Sequence, residues 1–359
     1  MDRHNHAHEH TQHNMRSCHA KKRRLDYLLW GSISAVVILY LLYWLFPTEA
    51  ATITQLEILS KSVYELMNTI WWGITIGIIM VALLSKVPRE FVVSLLGTGQ
   101  GIGGILRATL GGVLLDLCSH GILMVGAKLY ERGASAGQVM AFLVASPWNS
   151  FSLTLILIAL IGIKWTLAFI VASMLIAIIT GYIFDRLVAV KVLPENSHQI
   201  DLPKDFQFWA EAKNRFNKTQ FTRQFFGEMM KDGVMESRMV IRWILFGVLL
   251  AGIIRAFVDA TTFQTYFGPT LAGLGLTVLV ATILEVCSEG STPVAADILT
   301  RANAPGNSFA FLMTGVSTDY TEIMVLKEAT KSWKIALFLP LITVPQVIFI
   351  AWLINLQAV

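Results

Sequence analysis

Two short elements in this chain combine a carboxylate, a thiol, a hydroxyl and a glycine at one spacing. Asp116 stands two places before Cys118-Ser119-His120-Gly121, and Glu285 stands two places before Cys287-Ser288-Glu289-Gly290. Thiolate, imidazole and carboxylate together make a donor set for a soft or borderline cation or a trivalent metalloid. A cysteine can also serve as a small residue that lets helices approach. His120 alone would more often be a satisfied buried histidine, and its place beside Cys118 is what makes it a candidate ligand. Asp116 and Glu285 are candidate ligand or coupling carboxylates, since an acid held away from water can exchange a proton near neutral pH.

The two elements are 169 residues apart (287 − 118), and the match continues at that offset without a gap. Leu115 pairs with Leu284, Val125 with Val294, Ala127 with Ala296, Arg132 with Arg301 and Gly137 with Gly306. Ala141-Phe142-Leu143 recurs as Ala310-Phe311-Leu312, and Gly99 and Gly104 meet Gly268 and Gly273. Apolar helices that resemble one another by chance do not keep polar and glycine positions in phase, so the chain is an internal duplication. At the same offset Ser146-Pro147-Trp148-Asn149-Ser150 aligns with Gly315-Val316-Ser317-Thr318-Asp319. Both read as polar breaks inside spanning helices, with Asn149, Ser150, Thr318 and Asp319 expected to face the paired elements; interhelical hydrogen bonding is the competing use. Asp297 and Glu322 are left open between a wet interface and a functional role.

A hydrophobic content of 55% against 14% charged residues, with a mean hydropathy of +0.60, excludes an ordinary soluble domain and points to an all-α polytopic membrane protein. The net charge of +4 does not imply nucleic acid, because much of the basic excess flanks apolar segments. The three cysteines make no disulfide framework. Gly99, Gly101 and Gly104 fit G-x-G-x-x-G without any βαβ context, and neither a P-loop nor H-E-x-x-H occurs. No cofactor and no enzymatic activity are expected.

Hydropathy and length predict spanning helices over 28–46, 66–86, 138–162, 165–187, 239–258, 306–327 and 334–356, with 91–132 and 261–302 broken by glycines and by the Cys-Ser elements. Lysine and arginine near the first two helices and between Arg186 and Arg238 place those segments, and the N-terminus, in the cytoplasm. Counting crossings then brings 91–132 in and out on the cytoplasmic side, and 261–302 on the outer side, as re-entrant hairpins whose tips hold Cys118 and Cys287. Each repeat is a hairpin plus three spanning helices, the second inverted, a plan used by secondary transporters with a site near the midplane. The organisation reads as a histidine-rich cytoplasmic tail (1–27), an extra helix (28–46), repeat 1 (60–190), a cytoplasmic linker with an interfacial helix (191–237) and repeat 2 (238–357). In the tail, His4, His6, His8 and His10 suit loose capture of divalent transition metals; a solvated disordered tail is the plainer reading.

Cys118-Ser119 with Gly121, Arg132-Gly133-Ala134-Ser135, Ala141-Phe142-Leu143 through Pro147, and Cys287-Ser288-Glu289-Gly290 with Pro293 resemble the YraQ/ArsP-type predicted permeases over roughly residues 60 to 357. The resemblance implies efflux of a soft metal or metalloid, since characterised members export trivalent organoarsenicals and others are associated with copper or zinc efflux. The family's first element often reads Cys-Ser-Cys-Gly. Here His120 replaces the second cysteine, which tilts the site toward mixed sulfur, nitrogen and oxygen ligands for a divalent cation.

The expectation is thus a secondary-active permease of the bacterial inner membrane, exporting such a species by alternating access. Its substrate residues would be Cys118, Ser119, His120, Asn149, Ser150, Cys287, Ser288, Glu289, Thr318 and Asp319. Its partners would be the lipid bilayer and a small ionic substrate, with no nucleic acid, and a homodimer is left open. The competing class is an intramembrane metal-dependent enzyme or sensor with a permanently bound ion.

Overall fold

The computed structural model describes residues 27–46, 54–84, 101–114, 119–131, 133–145, 151–196, 223–284 and 288–358. Every regular element among them is a helix. In order these are α1 (Tyr27–Leu45), α2 (Thr54–Leu84), α3 (Ile102–Leu114), α4 (Ser119–Glu131), α5 (Ala136–Ala145), α6 (Phe151–Ala189), α7 (Arg223–Phe257), α8 (Ala260–Phe267), α9 (Leu271–Leu284), α10 (Ser288–Thr300), α11 (Pro305–Thr318), α12 (Tyr320–Thr330) and α13 (Trp333–Ala358).

Among the described residues, three stretches are long and apolar enough to cross a bilayer singly, Tyr27–Leu45, Leu153–Ala189 and Trp333–Gln357, and α7 with α8 adds a pair bent by 109°. On α6, Leu167, Val171, Leu175 and Ile179 recur every four residues and all face outward. An exposed apolar stripe of that length is stable only against lipid tails. Apolar spans of this kind make the chain a multi-pass membrane protein. The described parts of α3 and α4, 13 residues each, extend about 20 Å at 1.5 Å per residue.

Element boundaries keep the 169-residue offset seen in the sequence. Ile102 opens α3 and Ala136 opens α5, and Leu271 and Pro305 open α9 and α11 at that spacing. Even the backbone kink recurs: Gly162 within α6 has φ 80°, and Lys331, 169 residues on, has φ 53° between α12 and α13. Beyond the kink the offset becomes 170. Gly137 and Asp185 then correspond to Gly306 and Asn355, and both pairs make the same contact. The Gly137 amide donates to Asp185 Oδ1 at 2.9 Å, and the Gly306 amide donates to Asn355 Oδ1 at 2.7 Å. A Cβ on either glycine would strike the facing helix at the Gly181 or Ala351 carbonyl. Glycine is therefore required where α5 meets α6 and where α11 meets α13.

Two helices start well before the spans expected at 66 and 239. Glu57, Lys61 and Glu65 lower the local hydropathy of α2 without interrupting its helix, and the charged turns from Arg223 to Arg238 do the same for α7. The first turns of α7 thus fall inside the stretch read as linker. The expected span 306–327 is divided at Asp319, which has φ −56° and ψ 122° and separates α11 from α12. The expected span 138–162 is divided between α5 and α6, with residues 146–150 outside the described set.

Helices from the two halves interlock. α2 packs along α7, α4 against α12, α10 against α6, and α5 touches α11. Phe169 of α6 and Phe309 of α11 meet with ring centroids 5.4 Å apart, so one continuous core joins the halves. At the turn between α7 and α8, Asp259 caps α8 by accepting from the Thr262 amide at 2.7 Å. Hydrogen bonds from the Thr261 and then the Thr262 hydroxyl hold its carboxyl below the usual carboxylate range.

Candidate functional site

The described parts of α4 and α10 begin at Ser119 and Ser288, inside the two Cys-Ser-X-Gly elements. Cys118, Cys287, Asp116 and Glu285 themselves lie outside the described residues, as do Asn149, Ser150 and the tail with His4, His6, His8 and His10. For Ser119, His120, Ser288 and Glu289 the helical backbone position alone is described.

The flanking residues show what surrounds these elements. Gly290, the last residue of the second element, is buried, and Gly247 of α7 lies so close that an added Cβ would meet the Gly290 carbonyl. The N-terminus of α10 is thereby pressed backbone to backbone onto α7. At the polar break, the Thr318 hydroxyl donates to Thr282 Oγ1 at 3.4 Å, and Thr282 stands three residues before Glu285. The break of the second repeat therefore abuts the end of the arm that leads into its cysteine element. The first repeat matches this. A Cβ on Gly112, near the end of α3, would lie 2.7 Å from the Phe142 carbonyl and 3.1 Å from Ala145 Cβ, at the end of α5 just before Ser146. Across the halves, α4 lies on α12 and α10 on α6, so each cysteine helix rests on a helix of the opposite half.

Two acidic side chains left open by the sequence are buried in the structure, Asp297 at 1% exposure and Glu322 at 2%. They differ in company. Asp297 of α10 accepts from Arg255 Nη2 at 2.6 Å and from Arg255 Nε at 3.0 and 3.1 Å, and Arg301 Nη1 lies 3.7 Å away. Glu65 of α2 approaches the same Arg255 at 3.9 Å. This is a bidentate clasp from α7 to α10. Sequence reading missed it because the acid and its base are 42 residues apart. Glu322, in the first turn of α12, has Oε2 buried without a hydrogen-bond partner.

Among the described residues no three His, Cys, Asp or Glu side chains gather as a metal site. A cavity of about 570 Å³ between α1 and α2, bordered by Val36, Tyr40, Met67, Asn68 and Trp71, contains none of the residues named above.

Comparison with known proteins finds relatives in several bacteria. A protein of Mycobacterium tuberculosis named as a permease is 23% identical over 63% of this chain and 59% of its own length. A Streptococcus mutans protein named as a subunit of a two-component membrane permease complex is 23% identical over 64% of this chain and 73% of its own. The UPF0718 protein YcgR of Bacillus subtilis is 22% identical over 76% of this chain and 88% of its own. The chain thus spans under two thirds of the mycobacterial relative. No solved structure matches. The family described as predicted permease matches residues 55–355, both repeats together, and the chain belongs to this ArsP_1 family.

Proposed function

We propose that the chain is a secondary-active permease that exports a soft metal or metalloid species, a trivalent organoarsenical or a divalent cation of the copper or zinc type, across the bacterial inner membrane. The observation that carries this reading is the crossed packing: α4 and α10, whose described residues start inside the two cysteine elements, rest on α12 and α6 of the opposite half. A rocking of one repeat against the other would then open the site to one side while closing it to the opposite side. In this reading the repeats are inverted and the N-terminus is cytoplasmic. The short hairpins α3–α4 and α9–α10 are re-entrant, with tips meeting at mid-depth. Irregular backbone at that depth is tolerated where it is enclosed by protein or lines a wet cavity. Cys118 and Cys287 are soft ligands there, with His120, Glu289, Ser119, Ser288, Asn149, Ser150, Thr318 and Asp319 around them and Asp116 and Glu285 as ligand or coupling carboxylates. His4, His6, His8 and His10 capture cations before export.

The test uses inverted membrane vesicles from a metal-sensitive host making the full chain, with methylarsenite, Cu(I) and Zn(II) as probes. Energised uptake of at least one probe is expected, and loss of that uptake by tenfold or more in Cys118→Ser and Cys287→Ser. Equal uptake by both serine variants overturns the cysteine-ligand role. A metal that survives dialysis of the purified protein, with no flux of any probe, overturns the permease reading. The streptococcal relative's name raises a second subunit, and co-purification of a partner with the tagged full chain tests for one.

A further inference from the structure

The buried acid at the start of α12 is the group this reading does not use. Three carboxylates sit in the helical body with well-defined surroundings. Asp297 is held by Arg255 and Arg301, and Asp185 accepts from Ser135 Oγ at 3.1 Å and from the Gly137 amide at 2.9 Å. Glu322 is as buried as Asp297, yet its Oε2 has no donor, and among the described residues no cation pairs with it. A carboxylate anion in a dry interior without donor or counter-ion is not retained; the group takes a proton instead. Its position in the first turn of α12 works the other way, because the positive end of the helix eases the cost of the anion. Both forms are therefore within reach of a modest change in surroundings, which is the property a proton carrier needs.

The surroundings can change, because α12 packs on α4, the helix that starts at the first cysteine element, and on α11 and α13. The titratable residues on these elements are few. His120, Lys128, Tyr130 and Glu131 are on α4, Asp319 is at the end of α11, and Lys334 is near the start of α13. On α12 itself, Tyr320 stands two residues before Glu322, while Lys327 and Glu328 pair with each other at the opposite end of the helix, at 3.5 Å. The repeat adds a second indication. The position matched to Glu322 is Leu153, fully buried, and the one matched to Asp319 is Ser150. A structural need shared by both halves would appear in both. An acid on one side alone fits a single ion carried per cycle.

Resting on the permease reading above, we propose that Glu322 is the proton-binding site of the transport cycle, which leaves Asp116 and Glu285 the ligand role. In the conformation described here it is the carboxylic acid. When α4 shifts against α12, the O–H proton leaves to water on one side and the anion forms. The carboxylate is reprotonated from water on the other side, so one proton crosses per turnover and none is created or lost.

Infrared spectroscopy of the full chain in lipid bilayers at neutral pH is expected to show a protonated carboxyl C=O band that disappears in Glu322→Gln. Absence of a band specific to Glu322 overturns the proposal. In proteoliposomes loaded with methylarsenite or Zn(II), Glu322→Gln is expected to keep probe-for-probe counterflow while losing pH-gradient-driven accumulation by tenfold or more, with Glu322→Asp retaining part of it. Gradient-driven accumulation equal to the parent's overturns the proposal. Failure of the parent to exchange either probe strikes the substrate reading instead, and the infrared band then decides the protonation claim by itself, presence supporting it and absence refuting it.

Discussion

The matched contacts at Gly137 and Gly306 allow an exchange experiment whose two arms differ although the residues do the same work. Asp185 closes α6 on α5, and Asn355 closes α13 on α11, each by accepting a glycine amide. Their second bonds run in opposite directions. Asp185 Oδ2 accepts from the Ser135 hydroxyl, whereas Asn355 Nδ2 donates to Asn307 Oδ1 at 2.8 Å. In Asp185→Asn the new amide group faces a hydroxyl that can turn from donor to acceptor, so the bond survives. The expected cost is below about 1 kcal/mol.

Asn355→Asp, ionised at neutral pH unless it takes up a proton at a cost of its own, has no such escape. Asn307 cannot present its own amide instead, because its Nδ2 already donates to the Phe267 carbonyl at 2.9 Å and the Gly268 carbonyl at 2.8 Å. Two acceptors then face each other in a site where Asn307 is fully buried and Asn355 is 4% exposed. One lost bond, at about 1 kcal/mol, plus an unsatisfied buried acceptor, at about 1–3 kcal/mol, gives a penalty of about 2–4 kcal/mol. At about 2 °C per kcal/mol for a chain of this size, the melting midpoint of the purified full chain falls by roughly 4–8 °C. Tryptophan fluorescence during thermal unfolding in one detergent measures both variants. A larger fall for Asp185→Asn than for Asn355→Asp refutes the argument.

Further outcomes follow from local geometry. Gly306→Ala forces a methyl into the Ala351 carbonyl and Asn355, and overpacking of that kind costs about 1–3 kcal/mol, read as a lower midpoint in the same melt. Lys331→Gly relieves a left-handed residue and raises the midpoint slightly, while Gly162→Ala, where an added Cβ meets nothing within 4 Å, lowers it by the backbone strain alone, about 1–3 kcal/mol. Asp259→Ala removes the α8 cap. Because the folded Asp259 carboxyl lies below its ordinary range, the cap's contribution is present above the unfolded carboxylate's range and is lost as pH falls through the folded value, so parent and variant midpoints differ at neutral pH and converge in strong acid.

Much of the scaffold was legible because apolar length and glycine phase are local properties of the chain. The cysteine elements, the 169-residue offset and the polar break at Thr318-Asp319 each involve a few neighbouring residues. What stayed hidden depends on which helices lie side by side. The Arg255–Asp297 clasp joins residues 42 apart, and the Gly137–Asp185 contact joins residues 48 apart. Helices α2 and α7 also run on before their expected spans, since a charged face lowers a window average without ending a helix. Glu322 was the hardest to read. An acid near a span's end looks like an interfacial one until the helix packed over it is known.

The clasp has a consequence for the balance between states. At the 169-residue offset, Arg255, Asp297 and Arg301 correspond to Lys86, Lys128 and Arg132, three bases with no acid among them. If the two transport states arise by exchange of roles between inverted repeats, one state gains a bidentate ion pair from α7 to α10. The other brings like charges together at the equivalent place. The scaffold is near-symmetric and the charges are not, so the clasped state is favoured at rest. Asp297→Asn removes the acid and leaves Arg255 and Arg301 facing each other with 19% and 18% of their side chains exposed. Breaking a fully buried pair costs about 3–5 kcal/mol, and partial exposure brings this to about 1–3 kcal/mol. A bias of about 1.4 kcal/mol is a tenfold change in population. Spin labels on the exposed residues Gln55 of α2 and Asn303 after α10 are therefore expected to report one dominant distance in the parent and a second population in Asp297→Asn. An unchanged distribution would show that the ion pair stabilises both states equally and sets no balance between them.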